Sequence, residues 1–216
     1  MSRRAPTVPS IEGPGPNGQN ESVSDGNDQG DGAYGHTHGA DGPPDGVGLV
    51  RVCFVCTGNI CRSPMGEAVL RQLAEQTILG DGTTLAERLV VSSAGTSGWH
   101  VGEPMDPRAR DALARRGYAD RGHRAQSFET RWFDATDLVV CMDRGHQQTL
   151  VSLSRGRAGD DRYLDRLVML RSFDPRAGGA VDVPDPYYGD DAEFESCLDL
   201  VEAGCRGLAS HLADRV

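Results

Sequence analysis

Residues 50 to 64, Val-Arg-Val-Cys-Phe-Val-Cys-Thr-Gly-Asn-Ile-Cys-Arg-Ser-Pro, constrain the fold of this chain more than any other stretch. Val50, Val52, Phe54 and Val55 make a short apolar run rich in β-branched residues, the pattern of a buried strand. Ser63 and Pro64 read as a helix start, with serine as N-cap and proline at the first helical position. Cys56 to Cys61 are left to join the strand to the helix. A loop so placed turns successive backbone N–H groups, and the positive end of the helix, toward one point. That point suits a dianionic phosphate.

The side chains of the loop add chemistry. Cys56 is the first residue off the strand, where the helix N-terminus and Arg62 both stabilise a thiolate, the reactive form of cysteine. Arg62 closes the loop with a planar fork that can hold two phosphate oxygens and follow their charge into a transition state. Gly58 is read as allowing close approach of backbone to ligand, and Asn59 as tolerating the left-handed conformation of a tight nest. Ser63 can cap the helix and donate a hydrogen bond to sulfur. A cysteine followed six places later by arginine arises by chance in roughly one of two chains of this composition, so the weight lies in context. The preceding strand, the internal Gly and Asn and the following Ser-Pro are separate conditions, and all are met. The bland alternative is a buried structural cysteine beside a helix-starting arginine.

Of 216 residues, 38% are apolar, enough for one domain with a sizeable core, and the formal net charge is −10. An acidic chain repels nucleic acid and binds an anion only in a locally positive pocket. All 22 basic residues are arginine, which rules out lysine Schiff-base chemistry. The six cysteines follow neither a disulfide framework nor a zinc spacing, so a reducing, cytoplasmic setting is expected, with no metal. No apolar run approaches the roughly 18 residues of a membrane span, and the N-terminus lacks a signal-peptide core. Neither membrane insertion nor Sec-type export is expected; export without a signal would leave no mark.

Residues 1–47 are Gly, Pro, Asn, Asp and Ser with almost no large apolar side chains, and such a tail is expected to be disordered. Its two arginines against seven acidic residues account for half of the net charge of −10. His36 and His38 form an isolated His-x-His that is more often inert than metal-binding. From residue 48 to 216 strands and helices alternate. Met65, Ala68, Val69 and Leu73 give a helix face ending near Gly80, and Leu89 to Ser93 a second strand. Asp106-Pro107 opens a helix that stops at Gly117. Leu138 to Met142 and Leu167 to Leu170 are further strands. Ala192 to Ala213 is a long amphipathic helix with Phe194, Cys197, Leu198, Val201, Cys205, Leu208 and Leu212 on one face. The expected fold is α/β: a single domain with a four-stranded parallel sheet, helices on both faces and the phosphate loop after the first strand. Sites in such sheets lie at the carboxyl ends of the strands, where Cys56 falls.

Cys56-Thr57-Gly58-Asn59-Ile60-Cys61-Arg62-Ser63-Pro64 resembles the signature of the low-molecular-weight protein tyrosine phosphatases, and Asp185-Pro186-Tyr187-Tyr188-Gly189 resembles the same family's acid loop. The similarity runs from about Val50 to the C-terminus, through Ser93-Ala94-Gly95-Thr96, Trp99, His123 and Cys141-Met142-Asp143-Arg144, and is greatest to secreted-type actinobacterial members. The resemblance implies hydrolysis of phosphotyrosine proteins through a phosphocysteine, with Cys56 as nucleophile and Arg62 as phosphate clamp. Thr57, Gly58, Asn59, Ile60, Cys61 and Ser63 would line the phosphate loop, and Trp99, Tyr187 and Tyr188 the aromatic mouth. The family pattern implies no metal or organic cofactor, and a tyrosine kinase as a further partner.

A phenol of pKa about 10 leaves poorly as the free anion, so a general acid is needed. Among 32 acidic residues the resemblance singles out Asp185, held between two prolines. His123 and Asp143 are read as structural, Asp143 through hydrogen bonds to Asn59, Ser63 or backbone. The family often has Asn where His146 stands, which puts a minor structural contact in doubt. Arsenate reductases of the same fold need two further cysteines, and Gln148 stands where the partner of Cys141 would be. Arginine phosphatases carry Thr at the place of Ile60 and lack the paired tyrosines. A binding module that holds phosphotyrosine without cleaving it is the alternative of another class, and the intact Cys56, Arg62 and Asp185 argue against it. Cys56 and Cys61 lie on one loop, so peroxide could drive a reversible disulfide between them.

Overall fold

The computed structural model describes residues 48–159 and 161–216. The tail of residues 1–47, with His36 and His38, lies outside the described residues. The elements run β1 (Val50–Cys56), α1 (Arg62–Gln76), β2 (Leu89–Gly95), α2 (Pro107–Arg115), α3 (Trp132–Ala135), β3 (Leu138–Cys141), α4 (Arg144–Ala158), β4 (Leu167–Met169) and α5 (Asp191–Ala213). The strands form a four-stranded parallel sheet in the order β2-β1-β3-β4.

Alternation along β1 divides the core. Val50, Val52, Phe54 and Cys56 face one layer, which α1, α2 and α5 cover with Met65, Val69, Leu113, Phe194, Leu198 and Val201. Cys53 and Val55 face the other, closed by Phe133 of α3, Leu150 of α4 and Tyr163. Each fully buried side chain of this size contributes about 1.5–3 kcal/mol. The central strand is therefore buried on both sides, as its unbroken apolar run requires. Helix α1 lies directly on it: a Cβ at Gly66 would come 2.7 Å from the Phe54 ring and 2.8 Å from the Met142 methyl.

Several boundaries differ from the sequence reading. Helix α1 starts at Arg62, with Cys61 as N-cap, and ends at Gln76 rather than near Gly80. Thr77 adopts an extended backbone and its N–H closes on Ala74 O, which ends the helix before the polar turn at 80–83. Helix α4 was not expected at all. Its buried positions include His146 and Ser154 beside Leu150, so no apolar stripe marks it. What starts it is Asp143, whose carboxylate accepts the His146 N–H at 2.9 Å.

The chain passes from β1 through α1 to β2 on one side, then crosses to β3 on the other. The order of connections thus reverses between β1 and β3, and the crevice at their carboxyl ends is the usual ligand site of such a sheet. Cys56 ends β1 and Asp143 follows β3, so both residues reach that crevice.

Candidate active site

The loop after β1 is built so that its amides face inward. The carbonyls of Cys56, Thr57 and Ile60 accept the N–H groups of Thr96, Ser97 and Asp106 at 2.8, 2.9 and 2.8 Å, and Asn59 O lies 2.7 Å from His123 Nε2. A trans peptide points its N–H opposite to its C=O. With these carbonyls tied outward, the N–H groups of Thr57, Gly58, Ile60 and Cys61 turn to the other side, where Cys56 sits.

Asn59 is fully buried with φ of 58°, a left-handed conformation costing a non-glycine residue about 1–2 kcal/mol. Its side chain offsets that cost. Nδ2 donates to Ser63 Oγ and Ser93 Oγ, both at 2.9 Å, and Oδ1 accepts the Gln126 N–H at 2.9 Å. Ser93 Oγ in turn donates to Glu67 Oε2 at 2.6 Å. Gly58 meets a further constraint beside the one its sequence position suggested: a Cβ there would come 2.8 Å from the His100 ring.

Ser63 is not the helix cap. It lies inside α1, and its Oγ is 3.0 Å from Cys56 Sγ. Since Ser63 Oγ accepts from Asn59, its proton is available to the sulfur or to Ala94 O at 3.2 Å. No side chain caps α1, so none competes for the N–H groups of its first turn.

Arg62 is 3% exposed and reaches across the crevice. Nη1 donates to Asp143 Oδ2 at 2.8 Å and to Val183 O at 3.2 Å, and Nη2 donates to Asp185 Oδ2 at 2.7 Å. Its buried Nε makes no hydrogen bond among the described residues. A buried guanidinium donor left over in this way suits an anion with several acceptor oxygens. Asp143 therefore braces Arg62 and the start of α4; of the expected partners Asn59, Ser63 and backbone, its carboxylate takes a backbone group, the His146 N–H, and its other oxygen takes the Arg62 guanidinium. Burial works against the Asp143 carboxylate, but the His146 N–H and Arg62 outweigh it and hold its pKa below the usual range.

His146, which sequence reasoning touched only as a departure, is 4% exposed. Its Nδ1 accepts the Asp143 N–H at 3.2 Å and its Nε2 is 3.0 Å from Thr57 Oγ1. Burial pushes its pKa down to about 4, with Asp143 opposing and Arg62 assisting, so the ring is neutral at pH 7.

A second bracket joins the two loops. Asp106 caps α2 and sends its N–H to Ile60 O at 2.8 Å. Its carboxylate takes Arg108 Nε at 3.1 Å and Nη2 at 2.8 Å. Arg108 passes over the Phe194 ring, 4.5 Å from its centroid, and donates to Gly189 O at 2.8 Å and Tyr187 O at 3.0 Å. The segment that carries Asp185 is thus pinned from behind. Asp106 was legible as a helix cap, while Arg108 left no local sign of this contact.

A cavity of about 220 Å³ brings these parts together. Its floor is Cys56, Thr57, Gly58, Ile60 and Cys61, and its walls are Trp99, His100, Asp185, Tyr187 and Tyr188. Asn59, Arg62 and Ser63 sit behind the floor rather than on it, and His100 is a wall that sequence reasoning missed. Trp99 is 80% and Tyr188 96% exposed, with Tyr187 packed edge-on against Tyr188 at 5.0 Å. Another cavity, of about 260 Å³, lies beyond α1. Its Arg71 and Glu67 are paired with each other at 2.8 Å, and it holds no cysteine.

A doubly wound sheet whose central strand delivers a cysteine into a loop of inward amides, closed by a buried arginine, defines a cysteine-based, phosphate-binding α/β protein. The family description "Low molecular weight phosphotyrosine protein phosphatase" matches residues 51–216. The chain belongs to this family of hydrolases, the low molecular weight protein-tyrosine phosphatases. It is 49% identical to the low molecular weight protein-tyrosine-phosphatase of Streptomyces coelicolor over 77% of this chain and 95% of that protein. Low molecular weight protein-tyrosine phosphatase A of Mycobacterium tuberculosis is 43% identical over 77% of this chain and 94% of its own length. Among solved structures, YfkJ from Bacillus subtilis superposes with a TM-score of 0.67 at 31% identity, covering 79% of this chain and 98% of that one.

Proposed function

We propose that this chain cleaves phosphotyrosine esters in proteins by two in-line displacements at Cys56. The observation that carries the reading is that Cys56 and Asp185 line one cavity while Arg62, behind its floor, is in contact with Asp185. Phosphate enters against the loop amides and Arg62. The Cys56 thiolate, supported by the Ser63 hydroxyl, attacks phosphorus, and a phosphocysteine forms as the P–O bond to the phenol breaks. Asp185, displaced from Arg62 by the incoming phosphate and having taken up a proton from solvent, gives that proton to the departing phenolate oxygen, then takes one from the water that attacks the phosphocysteine, releasing inorganic phosphate and the free thiolate. Thr57, Gly58, Ile60 and Cys61 bind the phosphoryl group through the floor of the site, and Asn59 and Ser63 hold that floor in shape. Trp99, Tyr187 and Tyr188 grip the phenol.

The catalytic unit is residues 48–216. Among the described residues no helix is long and apolar enough to cross a membrane. A reducing, cytoplasmic setting follows from the need for a free Cys56 thiol, and a tyrosine kinase is the partner whose products this site removes. The test is hydrolysis of p-nitrophenyl phosphate and a phosphotyrosine peptide, beside phosphoserine and phosphoarginine, by wild type, Cys56→Ser and Asp185→Asn. Aryl ester turnover lost in Cys56→Ser and lowered about 10²-fold or more in Asp185→Asn is the expected result. Binding of phosphotyrosine with no turnover by wild type would replace the enzyme with a binding module.

A further inference from the structure

We infer that His146 is a positioning residue for catalysis: it fixes the Thr57 hydroxyl as a hydrogen-bond donor to a phosphoryl oxygen in the cavity. The inference rests on the proposed reaction at Cys56 and adds to it a residue outside the loop.

The argument is one of donors and acceptors. The Asp143 backbone N–H has only a proton to offer, so His146 Nδ1, which it meets at 3.2 Å, is the acceptor nitrogen; Asp143 Oδ1, 3.1 Å from the same nitrogen, takes the His146 backbone N–H at 2.9 Å instead of a ring proton. In the neutral ring the proton is then on Nε2. Nε2 faces Thr57 Oγ1 at 3.0 Å and donates to it. Arg62 Nη2, which likewise can only donate, lies 3.5 Å from the same oxygen. Both acceptor sides of Thr57 Oγ1 thereby face donors, the imidazole closely and the guanidinium at the limit of a hydrogen bond, and what remains is its own O–H. Thr57 lines the cavity floor beside Cys56, so that proton is presented where the phosphoryl oxygens arrive.

An unconstrained threonine hydroxyl can rotate and spend its proton on a neighbouring carbonyl. Here two donors hold it in the productive orientation before substrate binds, which is the condition for an electrostatic contribution that needs no reorganisation during reaction. Asp143 couples the device to the clamp, since its carboxylate holds Arg62 while its N–H fixes the imidazole tautomer. The plain alternative is that His146 only closes the capping box of α4, which it also does.

A double-mutant cycle separates the two. With p-nitrophenyl phosphate as substrate and inorganic phosphate as competing ligand, kcat, KM and Ki are measured for wild type, His146→Ala, Thr57→Val and the double variant. The expected result is a kcat/KM about 10-fold lower in His146→Ala, carried mainly by kcat, and a change below about 2-fold for the same substitution in the Thr57→Val background. His146→Gln, whose amide can both accept from Asp143 and donate to Thr57, should regain most of the loss. If His146→Ala does not fold, His146→Gln is compared with His146→Met, which has the same length without polar atoms, in both backgrounds. An equal loss in both backgrounds, or no loss in either, overturns the inference and leaves His146 as a cap. Absence of turnover in wild type instead overturns the underlying reaction.

Discussion

Arg62 Nη2 and Asp185 Oδ2 stand 2.7 Å apart, so the phosphate clamp and the proposed acid are bound to each other before any substrate arrives. The Arg62 side chain is 4% exposed and that of Asp185 45%, which makes the carboxylate the member that can leave. An incoming phosphate dianion competes for the same guanidinium. Substrate binding and release of the acid are one exchange. Asp185→Asn should therefore separate two effects: kcat for aryl phosphates falls by about 10²–10⁴, while inorganic phosphate binds more tightly because its competitor has lost its charge. A Ki for phosphate that is unchanged or weaker would refute the exchange.

The Arg108 bracket acts on the same acid through the backbone. Its two bonds to Gly189 O and Tyr187 O place the Asp185 segment relative to Asp106, which also grips the phosphate loop. Loss of that placement should cost most where proton donation matters most. For Arg108→Ala, kcat should fall about 10-fold or more with phenyl phosphate and less than about 3-fold with p-nitrophenyl phosphate, whose phenol leaves more readily as the anion. A loss of equal size on both substrates points instead to general distortion of the site.

His146 also sets a pH dependence of stability. Its ordinary pKa is 6.5, and burial brings it to about 4 in the folded chain. Between these values the unfolded chain binds more protons than the folded one, so stability rises with pH through this window. The folded state should lose up to about 3 kcal/mol on acidification from pH 6.5 to 4, with no further loss from this group below pH 4. Urea unfolding at intervals across that range checks it, and His146→Gln should flatten the slope.

Cys61 shares the cavity floor with Cys56, and burial, with the charge of Asp106 second, pushes its thiol pKa well up. Peroxide converts the Cys56 thiolate to a sulfenic acid; attack by Cys61 sulfur then expels water, its own proton leaving with the hydroxyl, and forms a disulfide. After brief peroxide treatment, dithiothreitol should restore most wild-type activity and clearly less in Cys61→Ser, whose sulfenic acid goes on to the sulfinic acid. Equal recovery in the two proteins refutes the bridge.

The parts of this architecture that could be read in advance are those written locally. The strand, the loop and the entry into α1 lie within fifteen residues, and the sheet follows from four apolar runs with helical patterns between them. Helix α4 was missed because a capping carboxylate and buried polar residues stand where an apolar stripe would have announced it. The entry into α1 was misread only as to its cap: a serine before a proline is a cap by default, but Cys61 holds that place, while the expected contact of the Ser63 hydroxyl with the Cys56 sulfur is made. Asp185 was found by resemblance, since its partner Arg62 is 123 positions away. Arg108 contacts carbonyls about 80 residues distant and has no local signature.

The floor of the cavity is tied to β2, α1, α2 and the 123–126 segment, while Trp99 and Tyr188 stand almost free in solvent. These two rings are held less tightly than the floor, although Tyr188 shares with Asp185 the segment that Arg108 pins. Exchanging the two exposed rings of the proposed collar, Trp99 and Tyr188, for other side chains would change clientele and leave the bore in which the phosphorus is handled as it is.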